Sequence, residues 1–108
     1  MDNISNVVVY NNGELELKVS VNEETIWLTQ KQMADVFGVN IPAISKHIKN
    51  IYKDKELNQF STVSILEIVQ KEGNREVLRN VEHYNLDIIL AIGYRTNSAR
   101  AIKFRQWV

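Results

Sequence analysis

Apolar positions change period twice along the chain. Between residues 4 and 21 they alternate: Val7 and Val9, then Leu15, Leu17, Val19 and Val21, recur at every second place around Asn11-Asn12-Gly13. A period of two sends successive side chains to opposite faces of a strand. Strands are therefore expected over 4–10 and 14–21, joined at a turn where Asn and Gly tolerate positive φ. The short run Thr25-Ile26-Trp27-Leu28 is expected to extend the sheet and deliver the chain to a helix. From Gln30 the period lengthens, and helices are expected over 30–37 and 41–52.

Capping chemistry supports both helices. Thr29 has the hydroxyl of an N-cap, and Gln32 three residues on completes a capping-box pattern. Asn40 is the natural N-cap of the second helix, with Pro42 in a first turn where a missing amide hydrogen costs nothing.

The order of residue types from Gln30 to Lys49, QKQMADVFGVNIPAISKHIK, is that of a helix-turn-helix. Counted from Gln30, apolar residues fall at the fourth, eighth, tenth and fifteenth places, Met33, Phe37, Val39 and Ile44, with Ile48 one turn later. Ala34 supplies a small residue where the helices come closest. Gly38 stands where the chain turns in the left-handed conformation that suits glycine. A generic helical hairpin imitates part of this pattern, but it has no reason to combine the alanine, the glycine and the isoleucine in that order. In the second helix Ile44, Ile48 and Ile51 or Tyr52 are expected to face the core. Asn40, Ile41, Pro42, Ser45, Lys46 and Lys49 would then lie on the face presented to a major groove.

Residues 53–61, KDKELNQFS, read as a polar connector. The segments 62–71 and 75–84 are rich in β-branched and apolar residues and flank Glu72-Gly73-Asn74, which is turn chemistry, so a second hairpin is expected there. Helix is the competing reading of 62–71. A hairpin directly after a recognition helix is the wing of a winged helix. Asn85 is expected to cap an apolar, buried helix, LDIILAIGY, broken or ended by Gly93 and Thr96-Asn97. Ser98 caps a last helix in which Ala101, Phe104 and Val108 are in phase; with no stop signal after it, the chain is expected to continue in a longer protein.

The expected fold class is α+β: a winged helix-turn-helix with an N-terminal β-hairpin and additional C-terminal helices. The expected division is an N-terminal hairpin over 1–28, the winged helix-turn-helix over 29–84 (helix pair 30–52, wing 62–84) and C-terminal helices over 85–108.

With 108 residues, 44% of them hydrophobic, one compact domain is expected. The absence of cysteine excludes disulfides and thiolate metal sites, and suits a reducing compartment. No stretch has the pattern of a signal peptide or a membrane span, so a cytoplasmic location is expected. His47 and His83 are thirty-six residues apart without partners at ligand spacing, and no glycine-rich phosphate loop occurs. Neither enzymatic activity, a cofactor, a metal nor a small-molecule ligand is expected. His47 reads as a packing or phosphate-facing residue, His83 as a strand residue, and Asp87 as a favourable charge in a helix first turn.

Formal net charge is zero, which argues against nucleic acid until its distribution is considered. Residues 1–28 carry Asp2, Glu14, Glu16, Glu23 and Glu24 against Lys18, whereas 40–53 carry Lys46, Lys49 and Lys53 and no acid. A second basic group, Arg95, Arg100, Lys103 and Arg105, reads equally as a solvated helix face or as phosphate contacts.

Three blocks, around Trp27, around Tyr84-Asn85-Leu86-Asp87, and around Gly93-Tyr94-Arg95 with Phe104-Arg105-Gln106-Trp107, resemble in order the N-terminal part of the RhuM family of bacterial proteins. The resemblance extends from about residue 14 to the end. The family is named from a pathogenicity-island virulence protein and is often encoded near mobile elements. It implies a DNA-binding-like N-terminal domain followed by a further C-terminal region.

The function expected is binding of duplex DNA as a transcriptional regulator of mobile-element or virulence type. Asn40, Ile41, Pro42, Ser45, Lys46, Lys49 and Lys53 are the expected contact residues, with Lys71, Arg75 and Arg79 reaching out from the wing. The alternative is a protein-interaction module that docks a partner or the C-terminal region. A homodimer is a further expectation, because one recognition helix reads few base pairs; the first hairpin is the candidate surface, and a sheet packed only on its own domain is the rival reading.

Overall fold

The computed structural model describes residues 6–21, 25–96 and 98–108. The expectations for residues 4–5 and for Asp2, Glu23, Glu24 and Asn97 lie outside the described residues. The elements run β1 (Asn6–Asn11), β2 (Glu16–Val21), β3 (Ile26–Leu28), α1 (Gln30–Phe37), α2 (Ile41–Lys53), α3 (Gln59–Thr62), β4 (Val63–Glu72), β5 (Arg75–Asn85), α4 (Leu86–Thr96) and α5 (Ala99–Trp107). The chain is thus α+β, and residues 63–72 are strand rather than helix.

Among the described residues all five strands share one antiparallel sheet, in the order β1-β2-β3-β5-β4. The three-residue strand β3 joins the two hairpins: Trp27 pairs with Ser20 on one side and Asn85 on the other. Local turn chemistry sets the hairpin registers. In the first, Asn11 pairs with Glu16, and the Asn12 Oδ1 accepts from the amides of Glu14 and Leu15. Gly13 carries a φ of 93°, whereas Asn12 stays at negative φ, so glycine alone makes the left-handed step. In the second, Glu72 pairs with Arg75 across a two-residue turn whose first residue, Gly73, has φ 64°.

One core unites sheet and helices. Tyr10, Val19, Leu28, Met33, Phe37, Ile44, Ile51, Tyr84, Ile88, Ile92 and Phe104 belong to a single buried cluster. Tyr10 of the first strand meets Phe104 and Trp107 of the last helix edge-on, at 5.2 and 5.1 Å between ring centres. α4 is the central helix, touching α1, α2, α5, β3 and β5.

Three expectations are corrected by packing. Gly93 does not break α4: it is buried inside the helix, where a Cβ would lie 3.4 Å from the Phe37 ring, and the helix runs on to Thr96. The connector after α2 contains the short helix α3, started by Asn58, whose Oδ1 accepts from the Phe60 amide. In α5, Ala101 and Phe104 are buried as their phase requires, but Val108 is exposed.

A relay of hydrogen bonds ties the first helix to the second hairpin. Gln30 Nε2 donates to the Tyr84 hydroxyl at 3.0 Å, and that hydroxyl donates to Glu82 Oε1 at 2.9 Å. Burial, together with the Glu82 carboxylate, pushes the Tyr84 phenol up to about 12.

Candidate nucleic-acid interface

The helix pair α1–α2 follows from its caps. The Thr29 hydroxyl accepts from the Gln32 amide while the Gln32 side chain accepts from the Thr29 amide, a complete capping box. Gly38 ends α1 at φ 70°, in the left-handed region, and its amide donates back to Ala34. Asn40 starts α2, its Oδ1 accepting from Ala43 at 2.8 Å, with Pro42 in the first turn. Met33, Ala34, Phe37, Ile44 and Ile48 are buried, and Val39 is half-buried against them.

α2 packs on α1 and α4 through Ile44, Ile48 and Ile51, leaving Tyr52 half-buried with its hydroxyl 2.7 Å from that of Thr62. On the opposite side Pro42, Lys46, Lys49 and Lys53 recur at helical spacing, and all are exposed. Asn40 and Ile41 are exposed beside them at the helix start, and Ser45 is half-buried. All seven expected contact residues therefore stand on one helix and its N-cap, and Ile44, Ile48 and Ile51, which anchor it, are buried on the other side. α2 contains no acidic residue.

Two neighbouring features bear on this charge. Asp54 and Glu56 both pair with Arg95, at 3.7 and 2.9 Å, so their carboxylates are turned toward α4. His47, half-buried between the lysine row and Arg95, is held below the ordinary histidine range by burial, by Arg95 and by Lys46. Neither pairing has a signal in the sequence, because Arg95 lies 39 residues from Glu56.

The hairpin β4–β5 is different. Lys71 pairs across the strands with Glu76, Arg75 with Glu72, and Arg79 forms two hydrogen bonds to Glu72, at 3.0 and 2.8 Å. Every base expected on the wing thus has an acid as neighbour. Ile65, Val69 and Leu78, each about 60% exposed, share one face of the hairpin, with Val69 directly opposite Leu78. Nothing in the sequence separates these residues from buried strand positions, and it is their place on a long hairpin that leaves them exposed.

The C-terminal basic group is engaged by the molecule's own groups at its surface. Arg100 bonds to Glu14 and to the Asp35 carbonyl, Lys103 donates to the Asn12 carbonyl, and the Arg105 guanidinium lies 4.6 Å from the Tyr94 ring centre. These residues fasten α5 to the rest of the fold, an outcome between the two readings of the sequence.

An open cleft of about 420 Å³ lies between the start of α1 and the second hairpin, lined in part by Gln30, Gln32, Gln70, Glu82 and His83. His83 is 2% exposed; its Nδ1 donates to the Val81 carbonyl, and burial holds the ring below the ordinary histidine range. Among the described residues no group of three His, Asp or Glu side chains is arranged to hold a metal ion. Among the same residues no helix is long and apolar enough to cross a membrane.

Residues 61–108 match the Virulence protein RhuM family. The matched span begins after the α1–α2 pair and takes in the second hairpin, α4 and α5, so it contains the blocks at Tyr84–Asp87, Gly93–Arg95 and Phe104–Trp107 but not the one at Trp27. The match supports membership of that family and leaves the helix pair to be judged on its own geometry. Comparison with curated proteins and with solved structures finds no match.

Proposed function

We propose that α2 is the recognition helix of a winged helix-turn-helix and that the protein binds duplex DNA, as a transcriptional regulator of virulence or mobile-element type. The observation that carries this reading is the row Lys46, Lys49, Lys53 on the exposed face of an acid-free helix, led by Asn40, Ile41 and Pro42 at its tip. Lysines three and four places apart repel one another at a cost of about 0.2–0.5 kcal/mol per pair, so the free protein has no structural use for them in a row. A phosphate backbone turns that repulsion into attraction. The tip residues then face base edges, with Asn40 and Ser45 as hydrogen-bonding groups and Ile41 and Pro42 suited to a thymine methyl. The regulatory role leans on the family match over residues 61–108.

A mobility-shift titration on random duplex DNA at low salt is the direct test. The expected dissociation constant is in the range of about 10⁻⁴ to 10⁻⁶ M, with log affinity falling linearly against log salt. The double variant Lys46→Glu, Lys49→Glu should lose most of that affinity and flatten the slope by about two. Unchanged affinity and slope in the double variant would overturn the assignment.

One observation favours a second reading, a protein-interaction module. The second hairpin offers Ile65, Val69 and Leu78 amid balanced charges, which suits a protein surface better than DNA. Absence of any shift at about 100 µM protein would favour this reading.

A further inference from the structure

The five-stranded sheet has two edges, and they are built differently. β4, at one edge, carries Glu67, Lys71 and Glu72 along its length. β1, at the other, reads NVVVYN: no charge, no proline and no glycine. Its regular register with β2, from Asn6 opposite Val21 to Asn11 opposite Glu16, includes no bulge. Charges, prolines and bulges are the usual means by which an edge strand avoids pairing with another chain, and β1 has none of them. Its side chains are also unusually apolar for an edge. Val7 and Val9 are 57% and 51% exposed on one face, and Val8 is 37% exposed on the face that otherwise buries Tyr10.

We propose that β1 is the self-association edge of this protein: two copies pair antiparallel through Asn6–Asn11, extending each sheet into the other. Two properties select a second copy as the occupant. In a twofold antiparallel pair, residues near the axis meet their own counterparts, so any charge there meets its like. β1 carries none, and an axis near Val8 sets Val7 against Val9 and Val8 against Val8 of the second copy, all β-branched cross-strand pairs. The formal net charge of zero adds no long-range repulsion between copies. The pairing also closes. Joining β1 to β1 consumes both unprotected edges and leaves two charged β4 edges outward, whereas joining β1 to β4 would propagate without end. Six-residue strands offer less than the roughly 800 Å² per partner of a tight complex, so the expected dissociation constant is on the order of tens of micromolar. This inference does not depend on DNA binding, and its test reads mass alone.

Sedimentation equilibrium of the 108-residue chain from about 5 to about 500 µM should show a monomer–dimer equilibrium and no larger species. The variant Val7→Lys, Val9→Lys, in which both altered side chains are exposed, should remain monomeric throughout. The variant Val69→Lys, Leu78→Lys adds the same charge at the second hairpin and should dimerise as the parent does. Because the chain contains no cysteine, Val8→Cys gives a clean crosslinking probe that should oxidise to a covalent dimer far faster than Lys31→Cys. A parent chain monomeric at about 500 µM would overturn the proposal. So would a dimer that survives the Val7, Val9 substitutions or is abolished by those at Val69 and Leu78, and so would equal crosslinking rates at the two cysteines.

Discussion

Arg100 lies across the turn at Gly38: a Cβ built on Gly38 would stand 2.9 Å from Arg100 Cδ, while the Arg100 guanidinium reaches the Asp35 carbonyl and Glu14. The glycine therefore meets two demands, a left-handed backbone and room for a side chain from the last helix. Gly38→Ala should destabilise the fold by about 2 kcal/mol, most of it from the backbone conformation and part from displacing Arg100. Urea unfolding of Gly38→Ala, Arg100→Ala and the double variant separates the two contributions. A non-additive term in the cycle is expected, and strict additivity would show that Arg100 simply moves aside.

The other end of the helix pair shows the reverse case. α2 closes with the Glu56 amide bonded to the Ile51 carbonyl at 3.0 Å and the Lys55 amide to the Tyr52 carbonyl at 3.1 Å, with Lys55 at φ 57°. This is a Schellman motif with lysine where glycine is favoured. Lys55→Gly should raise stability by about 0.5–1 kcal/mol, measured as an increase in the urea midpoint at unchanged m-value. A loss of stability would mean that the lysine stem makes packing contacts worth more than the strain.

Acid sensitivity should track His83. Its folded pKa is depressed by burial, so the unfolded chain binds more protons once pH falls below the ordinary value near 6.5. The stability of the neutral ring is complete above that value, is lost as pH falls below it, and stops changing once the folded pKa is passed. His47 contributes in the same direction. His83→Asn keeps a donor for the Val81 carbonyl but cannot titrate. Its melting temperature should fall less than that of the parent between pH 7 and pH 5; parallel curves would sink this assignment.

Charge on the hairpin and charge on α2 should count differently toward DNA. Lys71 and Arg75 face acids across the strands, whereas Lys46 and Lys49 face solvent on a helix without acids. Lys71→Ala, Arg75→Ala should weaken the mobility shift less than about threefold, against a loss of about tenfold or more for Lys46→Ala, Lys49→Ala. The opposite ranking would move the interface from the helix to the hairpin.

What the sequence discloses here is what neighbours in the chain decide. The Thr29 capping box, the Asn40 cap, the glycines at 38 and 73 and the turn between β4 and β5 all act within a few residues, and the structure contains each of them. The misses have distant causes. Gly93 lies inside α4 where a Cβ would meet the Phe37 ring, and Arg100 and Lys103 are engaged by groups at Glu14, Asp35 and Asn12 that lie far away in the chain. Of the candidate site, the face of α2 was legible from helical periodicity. The pairing of Asp54 and Glu56 with Arg95 was not, because it depends on how α4 crosses α2.

The aromatic contact of Tyr10 with Phe104 and Trp107 carries a consequence for synthesis. As the polypeptide leaves the ribosome, the Tyr10 ring must wait for partners that follow it by 94 and 97 residues. Closing so large a loop comes late and slowly, since its entropy must be lost before the contact rewards it. For that interval the valine-rich first strand is open to pairing with other chains.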